Sequence, residues 1–136
     1  MTVSVVIVDD SETERYVVKR RLSRAGGFCN VWEAPSGAQF LDDHFSANSN
    51  TSPDVDHLLV LMDINMPRMN GFDTVERMVA LMAEGQGPKE CSVIVCTSSE
   101  NPSDKLKSQE FQSIKGYIVK PIDKTDIADL TKAIEA

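Results

Sequence analysis

A chain of 136 residues with 41% hydrophobic content is one domain's worth of sequence, able to bury a sizeable core. Its 21 acidic residues against 14 basic leave a net charge of -7, which argues against non-specific nucleic-acid binding and against an anionic membrane surface. The apolar runs are strand-sized, short of the ~18 residues a spanning helix needs, and Asp9 and Asp10 break any signal-peptide pattern, so a single cytoplasmic domain over 1–136 is expected.

Val3 to Val8 is an apolar, β-branched run with the character of a strand, and it stops on Asp9 and Asp10 before a helix begins at Ser11 or Glu12. Ser11 with Glu14 three residues on makes a capping box. Val17, Val18, Leu22 and Ala25 then recur at helical spacing until Gly26-Gly27 ends the helix. Cys29 to Glu33 reads as a short second strand containing Trp32, and Pro35-Ser36-Gly37 restarts the chain as a helix from about Gly37 to Phe45. Ser46 to Asp56, rich in Ser, Asn and Asp, reads as a mobile loop remote from the carboxylates, on the amino-terminal side of the third strand.

Leu58 to Met62 is a continuous apolar run without polar alternation, the signature of a strand buried on both faces of a parallel sheet. It ends abruptly on Asp63 and turns through Asn65, Met66-Pro67 and Asn70-Gly71. Phe72, Val75, Met78, Val79 and Met82 mark one face of the next helix, which ends near Gly85; at that spacing the methionines read as core and not as a soft-metal site. Ser92 to Cys96 is a fourth strand ending on Thr97-Ser98-Ser99. Pro102 opens a short helix to about Glu110 whose apolar content is nearly confined to Leu106, which makes it a candidate for movement. Gly116 to Val119 is the fifth strand, Lys120-Pro121 follows, and Asp123 caps a last helix with Ile127, Leu130 and Ile134 on its buried face.

Cys29, Cys91 and Cys96 are odd in number and lack C-x-x-C spacing, so free and mostly buried thiols are expected in place of a disulfide or zinc site. His44 and His57, in expected helix and loop surroundings, have no partner motif and read as solvated.

Strict strand-helix alternation gives an α/β, three-layer sandwich, its five-stranded parallel sheet in flavodoxin-like order 2-1-3-4-5 with five helices. The carboxyl ends of the strands then gather Asp9, Asp10, Asp63, Thr97 and Lys120 on one rim. Carboxylates so placed repel by several kcal/mol at ~4 Å and an effective dielectric of ~20, so a cation or a raised pKa must compensate. An all-oxygen donor set favours Mg2+, with Mn2+ a plausible substitute, over zinc.

That ordered set resembles the receiver domain of two-component response regulators across essentially the whole chain. The matching residues are Asp9-Asp10, Met62-Asp63 with Met66-Pro67 and Gly71, Thr97, and Tyr117-Ile118-Val119-Lys120-Pro121. The resemblance implies a phosphoacceptor signalling module, chemotaxis-regulator-like and without an output domain. In it Asp63 takes a phosphoryl group from the phosphohistidine of a sensor histidine kinase or a histidine phosphotransfer protein. It further implies that Asp10, Asp63 and the Asn65 backbone carbonyl ligate Mg2+, and that Asp9 acts through a metal-bound water. Lys120 would pair with Asp63 and then with a phosphoryl oxygen, Thr97 would donate its hydroxyl, and Tyr117 would change rotamer as Thr97 moves.

A downstream protein target is expected at the face of the fourth helix, fifth strand and fifth helix. Such a chain is no enzyme beyond its own phosphorylation and dephosphorylation. Ser98 stands where the family commonly has a smaller residue, and Ser98 and Ser99 could tune water access to the phosphoryl group; Asp56 and His57 lengthen the loop before the third strand. A Mg2+-dependent aspartyl-phosphate phosphohydrolase is the alternative, but it wants an acid two residues after the nucleophile, where Asn65 stands. A flavin carrier would need a phosphate loop where Asp9-Asp10 would repel the phosphate.

Overall fold

Strands and helices alternate without exception in the computed structural model, which describes residues 3–45 and 57–135. In chain order they are β1 (Val3–Val8), α1 (Glu12–Ala25), β2 (Val31–Ala34), α2 (Gly37–Phe45), β3 (His57–Met62), α3 (Gly71–Ala83), β4 (Glu90–Thr97), α4 (Pro102–Ser108), β5 (Ile114–Val119) and α5 (Lys124–Glu135). All pairings are parallel, in the order β2-β1-β3-β4-β5. The expected sheet is therefore the observed one, and the unalternating run in β3 occupies its centre, buried at every position.

Period-two alternation sorts the strand side chains onto two faces. Val6, Val8, Leu58, Val60, Met62 and Val93 pack with Phe40, Phe45, Val75 and Met78 of α2 and α3. Val5, Ile7, Leu59, Leu61, Ile94 and Cys96 pack with Val18, Leu22, Ile127 and Leu130 of α1 and α5. A smaller cluster of Ile64, Phe72 and Val95 is covered by Phe111, Ile114 and Tyr117. Among the described residues no helix is long and apolar enough to cross a membrane.

Several expectations need correction. Val17 (38% exposed), Ala25 and Val79 (45% exposed) lie outside the core, because α1 and α3 each press only a narrow stripe against the sheet. β2 begins at Val31, not Cys29, although the Cys29 amide already donates to Val3 O at 2.8 Å; the Cys29 side chain is exposed. α4 stops at Ser108, and β5 starts two residues earlier than its apolar run suggested. The thiols are free, and burial pushes Cys91 and Cys96 up to about 12, so both stay protonated.

Neither histidine is solvated. His44 packs against Trp32 and Phe40, with ring centroids 5.2 and 5.7 Å away, and burial lowers its pKa against the opposing charge of Asp43. His57 is the first residue of β3, not part of a loop, and its Nε2 lies 2.8 Å from Ser92 Oγ on the neighbouring strand. The Ile134 side chain and the 46–56 segment lie outside the described residues.

Candidate functional site

Backbone pairing carries the rim residues past the last rungs of the sheet. The Asp9 amide donates to Ala34 O at 3.1 Å, the Asp63 amide to Val8 O at 3.0 Å, and the Lys120 amide to Thr97 O at 2.8 Å. The side chains leaving β1, β3, β4 and β5 are thereby fixed by the register of the strands behind them. Gly71 closes the turn after β3: a Cβ there would meet Asp63 O at 2.5 Å and Ile64 Cα at 2.8 Å, so only glycine lets α3 start this close. Asn70 caps that helix by accepting the Asp73 amide at 2.9 Å.

Asp9, Asp10 and Asp63 each offer an oxygen within 4.8 Å of the others. Asp9 and Asp63 are 4% and 7% exposed, whereas Asp10 faces solvent. The Lys120 ammonium enters between them, 2.6 Å from Asp9 Oδ2 and 3.5 Å from Asp63 Oδ2. Lys120 is thus bonded more closely to Asp9 than to Asp63, the reverse of the emphasis the sequence suggested.

Asp63 Oδ1 accepts the Asn65 amide at 3.0 Å. Burial raises the Asp63 pKa, and the charge of Asp9 adds to it, against lowering by the Asn65 amide, Lys120 and the Thr97 hydroxyl. For Lys120, burial works downward, but the hydrogen bond to Asp9 and the charges of Asp63, Asp9 and Glu14 together hold its pKa above the ordinary value. Asp9, Asp10 and Asp63 together bring more negative charge than the one Lys120 ammonium offsets, and they bring it in hard oxygen donors. That donor set fits a divalent cation such as Mg2+ or Mn2+.

Thr97 is fully buried at the end of β4, and its Oγ1 lies 3.4 Å from Asn65 Nδ2 and accepts the Ser99 amide at 3.3 Å. The Tyr117 hydroxyl donates to Ser99 O at 2.9 Å, and Ser99 Oγ donates to Asp104 Oδ2 at 2.6 Å, so Ser99 ties the site to α4. Ser98 is exposed.

Two contributors escaped the sequence. The capping box at Ser11 is half made: Ser11 Oγ accepts the Glu14 amide at 3.3 Å, but the Ser11 amide donates to Asp9 Oδ1 at 2.9 Å and not to Glu14. The Glu14 carboxylate instead reaches to 3.9 Å from Lys120 Nζ. Arg15 braces the same turn by donating to Asp9 O at 2.7 Å while pairing with Glu33 at 3.3 Å. Arginine one turn into a helix is an ordinary surface residue by pattern, and only the strand order reveals its target.

Comparison with known proteins points one way. Residues 5–133 match the family described as the response regulator receiver domain. Protein PilH of Pseudomonas aeruginosa is 30% identical over 132 residues, covering 97% of each chain. Chemotaxis protein CheY1 of Helicobacter pylori is 32% identical, covering 85% of this chain and 83% of its own. Among solved structures, a CheY-like receiver domain protein from Methanospirillum hungatei superposes with a TM-score of 0.71 at 30% identity, covering 97% of this chain and 93% of its own. Vibrio cholerae CheY4 does so with 0.69 at 25%, covering 97% and 98%.

Proposed function

The chain belongs to the response regulator receiver domains, the phosphoacceptor signalling modules of two-component systems, and from that membership we propose that Asp63 is its phosphoacceptor. The observation that carries the assignment is the position of Asp63: a buried carboxylate at the end of the central strand, with Lys120 at 3.5 Å and two further acids beside it. The donor is the phosphohistidine of a histidine kinase or histidine phosphotransfer protein in the cytoplasm. An Asp63 oxygen forms the new bond to phosphorus as the phosphorus–nitrogen bond breaks, its electron pair returning to the imidazole.

Such transfer asks a protein for in-line positioning and charge neutralisation more than for covalent chemistry. Asp10, Asp63 and the Asn65 carbonyl would hold Mg2+ directly and Asp9 through water, and the charge so supplied offsets that of the transferring group. Asp9 suits an indirect place, since the Ser11 amide and Lys120 already engage its two oxygens. Lys120 shifts from Asp9 toward a phosphoryl oxygen, and Thr97 donates its hydroxyl to another. The Asn65 carboxamide is far too weak an acid to protonate a leaving group, which speaks against the phosphohydrolase reading. The chain in this account catalyses only its own phosphorylation and dephosphorylation, and it presents α4, β5 and α5 to a downstream protein.

Incubation with Mg2+ and beryllofluoride or acetyl phosphate tests the assignment. The expected result is a modified Asp63 by mass spectrometry, amide shifts around Thr97 and Tyr117, and loss of both in Asp63→Asn. A wild-type chain unchanged under these conditions, or a variant that still takes phosphate, would refute it.

A further inference from the structure

We propose that Glu14 is a specificity-determining residue that discriminates against free anionic phosphodonors at the mouth of the site. The inference rests on Asp63 being the phosphoacceptor. Glu14 stands at the third position of α1, where its side chain ordinarily closes the capping box. Here Asp9 Oδ1 takes the Ser11 amide at 2.9 Å, so the Glu14 carboxylate is released and turns to Lys120, 3.9 Å away. Its side chain is 47% exposed while those of Lys120 and Asp63 are 13% and 9% exposed, so Glu14 is the solvent-side member of the group.

Three observations make that charge effective. Glu14 is not among the acids whose oxygens lie within 4.8 Å of one another, so a cation held by Asp9, Asp10 and Asp63 leaves its charge in place. The neighbouring cations of α1 are engaged elsewhere, Arg15 with Asp9 O and Glu33 and Lys19 with Glu33 at 3.3 Å, and Lys120 is held more closely by Asp9 and Asp63 than by Glu14. The Glu14 carboxylate also lies 3.9 Å from Lys120 Nζ, the cation that itself contacts Asp63, so its field acts at the site and not at a distant surface.

A free acyl phosphate arrives as a dianion with nothing but charge to guide it, and a carboxylate on its approach lowers its local concentration. A phosphohistidine docked by a protein partner is held by an extended interface, against which one rim charge counts for little. Glu14 thereby insulates Asp63 from small metabolite donors while leaving the cognate route open. For a phosphoryl group ~6 Å from the carboxylate in water, removing the charge should speed reaction about tenfold at low salt and about threefold at 0.15 M.

The test compares wild type, Glu14→Gln and Glu14→Asp, each saturated with Mg2+, for the rate of Asp63 phosphorylation by acetyl phosphate, a dianion, and by phosphoramidate, a zwitterion of net charge minus one. In each reaction an Asp63 oxygen bonds phosphorus as acetate or ammonia leaves. Glutamine serves as well as glutamate at a third helical position, so Glu14→Gln keeps the fold, and Glu14→Asp retains the charge. The expected result is a gain for Glu14→Gln that is larger with acetyl phosphate than with phosphoramidate and shrinks with salt, with Glu14→Asp close to wild type. Equal gains with both donors, a gain indifferent to salt, or no gain would overturn the inference. A wild type that takes phosphate from neither donor would instead strike the phosphoacceptor assignment.

Discussion

Replacing Gly71 with alanine sets two general rules against each other. Helix propensity alone says that alanine within a helix stabilises by about 1 kcal/mol over glycine. At Gly71 the added carbon would lie 2.5 Å from Asp63 O, 2.8 Å from Ile64 Cα and 3.0 Å from Ile64 Cγ2. Ordinary carbon contacts are about 3.5–4.0 Å, so roughly 1 Å of displacement is required, and two of the three obstacles are backbone. Overpacking costs typically ~1–3 kcal/mol, and rigid backbone on both sides places this case at the upper end. Set against the propensity gain, the net loss is about 2 kcal/mol, a fall of about 1 M in the urea midpoint. The displaced atom belongs to Asp63 itself, so phosphorylation by acetyl phosphate should slow by on the order of a hundredfold, as misplacement near a reacting group does. A midpoint equal to or above wild type, with phosphorylation intact, would refute the geometric argument.

Other substitutions probe separate parts of the site. Lys120→Met leaves Asp9 and Asp63, at 4% and 7% exposure, without their cation; we expect a loss of about 3 kcal/mol in metal-free denaturation, partly recovered by millimolar Mg2+, and a stabilised variant would contradict it. Burial holds the His44 pKa below its unfolded value, so the folded state binds fewer protons, and stability is lost as pH falls through about 6.5 toward the folded pKa. His44→Phe should flatten the decline of the thermal midpoint between about pH 7 and 5, and an unaltered slope would show that His44 is not its source. Tyr117→Phe removes the bond to Ser99 O, at 2.9 Å, and should cost about 1 kcal/mol while speeding hydrogen exchange in α4 and not in β1 or β3.

The order of the sheet was readable because the strands announce themselves: five consecutive apolar residues from Leu58 to Met62 in β3, and β1 ending on two acids, leave little freedom in a right-handed α/β layout. Once the strands are ordered, the gathering of Asp9, Asp10 and Asp63 follows, and they are found within 4.8 Å of one another. Spacing failed where burial depends on what lies opposite. Val17 and Val79 sit at helical intervals yet face solvent, since a helix on a sheet buries a stripe narrower than its apolar count suggests. His57 becomes a buried partner of Ser92 only through the register that sets Leu58 beside Cys91. The preference of Lys120 for Asp9 over Asp63, 2.6 against 3.5 Å, turns on less than an ångström, finer than any pattern of residue types encodes.

A phosphoryl group is a local event, and reading it elsewhere requires an element whose placements differ by only a few kcal/mol. Four of the helices are excluded by their anchors: α1 inserts Val18 and Leu22, α2 Phe40 and Phe45, α3 Phe72, Val75 and Met78, and α5 Ile127 and Leu130. In α4 only Ser108 is buried, and Leu106 is 65% exposed. What fixes α4 is polar: the Asn101 cap on Ser103 at 3.0 Å, the Ser99–Asp104 bond at 2.6 Å, and Lys107 over the Phe72 ring at 5.0 Å. Each is worth about 1 kcal/mol. The Ser99 amide in turn bonds Thr97 Oγ1, the same atom that approaches Asn65 Nδ2 beside Asp63. On the proposed reading, drawing the Thr97 hydroxyl onto a phosphoryl group loosens its hold on Ser99, the residue to which both Tyr117 and Asp104 are tied. The loss is small in absolute terms, but α4 has little apolar burial with which to resist it, so the weakest-anchored helix is also the one wired to the acceptor.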